Sequence, residues 1–165
     1  MLYQQFIKNN TEAFIAKVIH ICDLLRINPD WLMVVMYAES RINHQAVNAN
    51  GGATGLIQFM PSTARWLGTT TAALRSMSNV QQLDYVYKYF NSLGATGKMK
   101  SVYDLYLVTF FPIALGKPDD WTLQSADLSA YKIAVNNKII DLNKDNKITV
   151  AEFRNYVDIY LKKKT

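Results

Sequence analysis

The chain has 165 residues, half of them hydrophobic, enough for one well-buried core and too few for two comfortable domains, so a single domain over 1–165 is expected. A formal charge of +5 favours an anionic polymer as partner without choosing among nucleic acid, membrane surface and bacterial wall; apart from the solvated cluster Lys162, Lys163 and Lys164 the basic residues are scattered. A single cysteine, Cys22, excludes a disulfide within the chain, and no segment approaches the length of a membrane span.

The longer apolar segments recur at helical spacing, which predicts an all-α protein. Asn9, Asn10 and Thr11 offer caps for a first helix whose Phe14, Ile15, Val18, Ile19, Cys22 and Leu25 form a core-facing stripe, with His20 half-buried among them. Asn28 and Pro29 read as cap and first residue of a second helix, from about Asp30 to Ser40, apolar nearly all round and therefore central. From Arg41 to Gly55 the composition shifts to Asn, Gly, Ala and Thr, predicting a tight loop. Pro61 opens a short helix through Trp66 and Leu67 that Gly68 stops. Ser78 with Gln81 is a capping-box pattern for a helix carrying Val80, Leu83, Tyr87 and Phe90. Ser101 with Asp104 begins another, which Pro112 limits to Val102 through Phe110. A weak helical segment spans Leu128 to Val135, and the last helix runs from about Val150 to Lys163.

Glu39 stands at the polar end of the apolar run WLMVVMYAES. An apolar pocket lined by Val35, Met36 and Tyr37 would raise its pKa and let it hold a proton near neutral pH, with Ser40 placed to orient the carboxyl. From these neighbours alone, a Glu exposed at a helix end is an equal alternative.

The loop that follows changes the balance. Residues 39–66 carry Glu39, Ser40, Asn43 and Ala46, then Gly52, Ala53, Gly55, Leu56 and Gln58, then Met60, Pro61, Thr63 and Ala64. This order resembles the signature of soluble lytic transglycosylases and the related goose-type lysozymes, the SLT family. His44 departs from a family Pro and Asn48 from a common Ser. The resemblance implies a lysozyme-like fold, Glu39 as the catalytic acid and base, and Ser40, Gly55 and Gln58 at the sugar-binding cleft. For Gly55 turn geometry is a sufficient alternative reason, and for Gln58 a cap of the following helix. It further implies cleavage of the β-1,4 bond between N-acetylmuramic acid and N-acetylglucosamine.

The family's Tyr-Asn segment is missing from DLYLVTFFPIALG, residues 104–116, where Tyr106, Phe110 and Phe111 stand as candidates to line the cleft or to fill the core. Hydrolysis by the usual route needs two carboxyl groups, and only Asp84 and Asp104 come into consideration as the second. The resemblance therefore favours a lytic transglycosylase forming 1,6-anhydro ends; lysozyme-type hydrolysis stays open, as does a non-catalytic glycan-binding module. Parts of the chain resemble phage-encoded wall-degrading members. The N-terminus lacks the pattern of a secretory signal, so delivery to the wall by another route is expected. A monomer acting on peptidoglycan strands, with no nucleic-acid partner, completes the reading.

Asp141, Asn143, Asp145, Lys147, Thr149 and Glu152 occupy positions 1, 3, 5, 7, 9 and 12 of a twelve-residue loop, the EF-hand arrangement of oxygen ligands for Ca2+, with apolar Ile148 at position 8. Asn146 stands at the sharp turn where Gly is usual. A structural calcium ion securing the last helix is expected; a solvated Asx turn capping that helix is the alternative.

Overall fold

The computed structural model describes residues 1–162 and is dominated by helices; among the described residues there is no strand, only isolated antiparallel bridges. Lys163 and Lys164 lie outside the described residues. By its internal contacts the chain divides into two compact units, Met1–Leu105 and Tyr106–Thr165.

The first unit contains α1 (Thr11–Leu25), α2 (Pro29–Ser40), α3 (Pro61–Trp66), α4 (Thr71–Ser76), α5 (Asn79–Ser92) and the beginning of α6 (Val102–Phe110). α1 packs against α5 and α2. Its buried face is Phe14, Val18, Ile21, Cys22 and Leu25, so Ile21 takes the core position expected of Ile19, which is exposed with His20. One residue is 100° of helix, enough to carry Ile19 off the stripe. Asn10 does not cap α1 with its side chain; its amide donates to Asn79 Oδ1 at 3.0 Å, joining the starts of α1 and α5. Lys17 and Asp84 add an exposed ion pair at 2.6 Å between the same helices.

α2 is central for the reason its composition implies. Leu32 through Met36 are all buried, and the Asn28 carboxamide caps the helix by accepting from Asp30 N–H at 2.8 Å ahead of Pro29 at its first turn. α4 has no counterpart in the sequence reading: six residues cover too few turns for periodicity to register, although Thr70 caps it in the ordinary way. On α5 the expected capping box forms, with Ser78 accepting from Gln81 N–H and Gln81 accepting from Ser78 N–H. The register of its buried face differs from expectation. Asn79, Gln82, Leu83, Val86, Tyr89 and Phe90 face the core, while Val80 and Tyr87 are half-exposed.

The second unit holds the end of α6, a 3-10 turn at Pro112–Ala114, α7 (Ala130–Asn136) and α8 (Val150–Lys162). Phe153 and Val157 of α8 are fully buried. Residues 121–123 run antiparallel to 148–150, bridging at Thr122 and Thr149, with Leu123 N–H donating to the Ile148 carbonyl at 2.8 Å and Val150 N–H to that of Trp121 at 3.0 Å.

Candidate active site

Glu39 is half-buried in the last turn of α2, and the backbone turns sharply just beyond it. Arg41 and Ile42 both have left-handed φ, 55° and 59°, and Ile42 N–H donates back to the Met36 carbonyl at 3.2 Å. A β-branched residue at positive φ is strained, and Ile42 keeps that conformation while 4 % exposed. Such strain persists only where the surroundings over-determine it, and here it aims the chain from Glu39 into the glycine loop.

Ser40 fixes the helix end to that loop. Its buried hydroxyl lies 3.0 Å from the Met36 carbonyl and 2.9 Å from the Leu56 carbonyl, so its proton serves these acceptors, not the Glu39 carboxyl that the sequence reading gave it. The loop folds back as a miniature ribbon: Thr54 bridges to Val47 and to Phe59, and Thr54 and Phe59 exchange N–H bonds of 3.0 and 2.8 Å. Gly55 N–H donates to the Ala46 carbonyl at 2.9 Å. Gln58, at φ 55°, donates its side-chain amide to the Gly55 carbonyl at 3.0 Å and to the Ala46 carbonyl at 3.3 Å. It does not cap α3, whose start has no side-chain cap.

Gln82 of α5 clamps this ribbon from behind. It is 0 % exposed, accepts from Leu56 N–H at 2.6 Å, and donates to the carbonyls of His44 and Leu74, each at 2.9 Å. Sequence reasoning missed it; the available signal was an amide standing on the apolar stripe with Val86 and Phe90. Seven residues further on, Tyr89 is 7 % exposed, with Phe59 of the loop set edge-on at 6.3 Å and Phe90 at 5.1 Å between ring centroids. Burial first, and then the nearby Glu39 carboxylate, push the Tyr89 phenol well above its ordinary range. Burial also lowers the His44 imidazole below its usual value. Tyr37 stacks on Tyr3 at 4.0 Å, with the Arg41 guanidinium 4.5 Å above its ring.

Neither acid considered as a partner for Glu39 is arranged as one. Asp84 pairs with Lys17 on the outward face of α5, where Met77, Gln81, Asp84, Tyr85 and Lys88 line an open cavity of about 420 Å³. Asp104 accepts from Lys100 N–H at 2.8 Å, while its own N–H donates to Ser101 Oγ at 3.1 Å, the capping arrangement expected at the start of α6.

The family model described as the transglycosylase SLT domain matches residues 22–113, more than half of the chain and including the Glu39 helix, the glycine loop and α5. The chain belongs to the transglycosylase SLT domain family. Its members are peptidoglycan lytic transglycosylases, so this SLT protein is an enzyme of that kind, with peptidoglycan as substrate and an all-α, lysozyme-like fold. No curated protein and no solved structure matches the chain. Among the described residues of the SLT protein, no helix is long and apolar enough to cross a membrane.

Two residues expected at the cleft lie in the second unit. Tyr106 is buried with its ring edge-on to Phe153 at 5.2 Å, and Phe110 stacks on Phe153 at 5.1 Å. The oxygen-rich loop of the same unit is folded around two carboxylates. Asp141, 7 % exposed, accepts from Asp145 and Asn146 N–H at 3.2 and 3.0 Å; Glu152, 8 % exposed, accepts from Leu142 and Asn143 N–H through one oxygen and from Thr149 N–H and hydroxyl through the other. Asn146 adopts φ 63°, the conformation its place in the loop demands. Asn143 and Asp145 are exposed, and Asp145 accepts from Lys147 N–H at 2.9 Å. Among the described residues no group of three or more His, Cys, Asp or Glu side chains is drawn together to hold a metal.

Proposed function

We propose that Glu39 is the sole acid and base in cleavage of the β-1,4 bond between N-acetylmuramic acid and N-acetylglucosamine, and that the product carries a 1,6-anhydro end. The observation supporting this reading is the engagement of the two other acids: Asp84 with Lys17, and Asp104 with the start of α6. A single carboxyl suits a reaction in which the substrate supplies its own nucleophile. Glu39 gives its proton to the departing glycosidic oxygen; the resulting carboxylate then takes the proton of the muramic C6 hydroxyl as that oxygen bonds to C1. Atoms balance without water, and Glu39 ends protonated. Gln58, whose amide nitrogen faces two backbone carbonyls, is left to offer its Oε1 to a sugar amide or hydroxyl, while Ser40 and Gly55 shape the cleft wall from within.

Mass spectrometry of digested peptidoglycan tests the outcome. Muramic ends lighter by one water are expected, and reducing ends alone would assign the reaction to hydrolysis. Glu39→Gln is expected to lower turnover by about 10²- to 10⁴-fold, the usual contribution of a general acid. Retained turnover would refute the role, and a wild-type protein that binds wall without cutting it would make the chain a binding module.

We further propose that the loop 141–152 takes one Ca2+, held by Asp141, Asn143, Asp145, Thr149 and Glu152 side chains and the Lys147 carbonyl. The donor set suits it in kind and order, and among the described residues the two buried carboxylates meet N–H and O–H donors and form no ion pair with a cationic side chain. The ion would neutralise that buried charge and secure the start of α8; it has no part in bond cleavage.

A further inference from the structure

We propose that a polar recess beside the turn leaving α2 binds a small carboxylate, and that the carboxyl end of a wall peptide supplies it. The inference goes beyond bond cleavage and does not depend on the role of Glu39.

The recess has a volume of about 130 Å³ and lies between Lys8 and Asn9, the turn 42–45 and Asn79 at the start of α5. A water takes about 30 Å³ of the liquid, so the space matches about four waters, or one carboxylate with a short substituent. Ile42 is the apolar residue of its lining, and it holds left-handed φ there while buried. Backbone strain of this kind clusters at ligand sites.

The inventory of donors and acceptors decides the ligand. Asn79 is 4 % exposed; its Oδ1 accepts from the Asn10 side-chain amide and from Val80 N–H, both at 3.0 Å, and its Nδ2 donates to the Asn9 carbonyl at 2.6 Å, which leaves one N–H to spare. The Asn43 Oδ1 accepts from Gln45 N–H at 3.1 Å, again leaving amide hydrogens. The His44 carbonyl accepts from Gln82, whereas among the described residues neither the His44 N–H nor its imidazole is hydrogen-bonded. Burial keeps that imidazole neutral near pH 7, with one ring N–H as donor. Lys8 has no ion-pair partner among the described residues, and no Asp or Glu lines the recess.

The fold has thus occupied carboxamide oxygens and kept N–H donors around one ammonium. Such a wall suits an acceptor with a single negative charge. A sugar hydroxyl must also donate and meets few acceptors here, while a phosphate brings more charge than one ammonium balances. Peptidoglycan, the substrate, carries peptides that end in carboxylates, and Ile42 offers a methyl substituent an apolar contact. The recess belongs to the unit that carries Glu39, so glycan and peptide can be held by the same unit.

The test titrates the full chain at neutral pH and fixed ionic strength with N-acetyl-D-alanine, N-acetyl-D-alaninamide, acetate and inorganic phosphate, following backbone amide resonances by NMR. N-acetyl-D-alanine is expected to give saturable shifts at Asn9, residues 42–45 and Asn79, with the neutral amide about tenfold weaker, as loss of a charge-assisted hydrogen bond requires. Lys8→Met, at an exposed position, should keep the wild-type melting temperature and weaken binding by about tenfold. Tighter binding of N-acetyl-D-alanine than of acetate supports the wall peptide as source; equal affinities overturn that source. Phosphate binding above both carboxylates, equal response to acid and amide, or unchanged affinity in Lys8→Met overturns the carboxylate site itself. Glu39→Gln should bind N-acetyl-D-alanine as wild type does, and loss of the shifts in that variant would place the probe at the catalytic carboxyl and overturn the proposal.

Discussion

The side-chain amide of Gln82 occupies the space that a Cβ on Gly55 would fill, and from there it accepts the Leu56 N–H at 2.6 Å. Gly55 has φ 88°, so its missing side chain serves both the turn and the close approach of α5. The bare Cα of one residue and the buried amide of another, far apart in sequence, together set the shape of the glycine loop.

Gly55→Ala would add a Cβ at unfavourable φ and press it against Gln82. A loss of about 1 to 3 kcal/mol is expected by urea denaturation, with wall-clearing activity falling further because the loop moves with Leu56. An alanine variant of wild-type stability would show that Gln82 gives way without cost.

Gln82→Leu keeps the volume and removes three hydrogen bonds at a fully buried site. Leu56 N–H and the carbonyls of His44 and Leu74 would lose their partner, at roughly 1 kcal/mol or more each. Stability loss of that size, measured by denaturant titration, is the expected outcome; a neutral effect would mean that water replaces the amide.

For Ser40→Ala the expectation is a smaller loss, about 1 kcal/mol, because one shared proton is removed and the Met36 carbonyl retains the helix-terminal Ile42 N–H. The informative readout is kcat, which should fall as the turn holding Glu39 loosens from the loop. Unchanged kcat would show that the tie at Leu56 is dispensable for catalysis.

Calcium should raise the melting temperature of chelator-treated protein in a concentration-dependent way, by about 2.7 kcal/mol of apparent stability at a hundred times Kd. Asp141→Ala should abolish the response. Equal midpoints in chelator and in calcium-replete buffer would remove the ion from the account.

Cys22 is fully buried in α1, and desolvation pushes its thiol up from 9.0 to about 12. A raised pKa favours the protonated form in the fold, so this contribution to stability is complete below about pH 9 and is lost as pH rises towards 12. Stability measured against pH should decline across that window, with the Tyr89 phenol adding to the alkaline side. A thiol-specific reagent should label Cys22 only after denaturation; prompt labelling of native protein would show that the α1 face opens.

The helices and their caps were legible because their causes are local. Asn28 and Pro29 begin α2, Ser78 and Gln81 box the start of α5, and Pro112 ends α6, each through neighbours within a turn. The family, too, was legible, since Glu39 and the glycine loop lie within one short stretch. What sequence order could not supply was the partner of each group: Ser40 points to Leu56 and not to Glu39, and Tyr106 fits against Phe153 and Tyr156.

The amino-acid order alone determined that this chain is helical, where its main helices begin and end, and which carboxyl ends an apolar helix beside a glycine-rich turn. Tertiary packing decided the face that α5 turns inward, and with it the meeting of Gln82 with Gly55 and of Tyr89 with Phe59. The physical reason is range. Capping and periodicity act within a few residues, whereas a buried amide or phenol finds its partner only after distant segments have been brought together by the burial of their apolar faces.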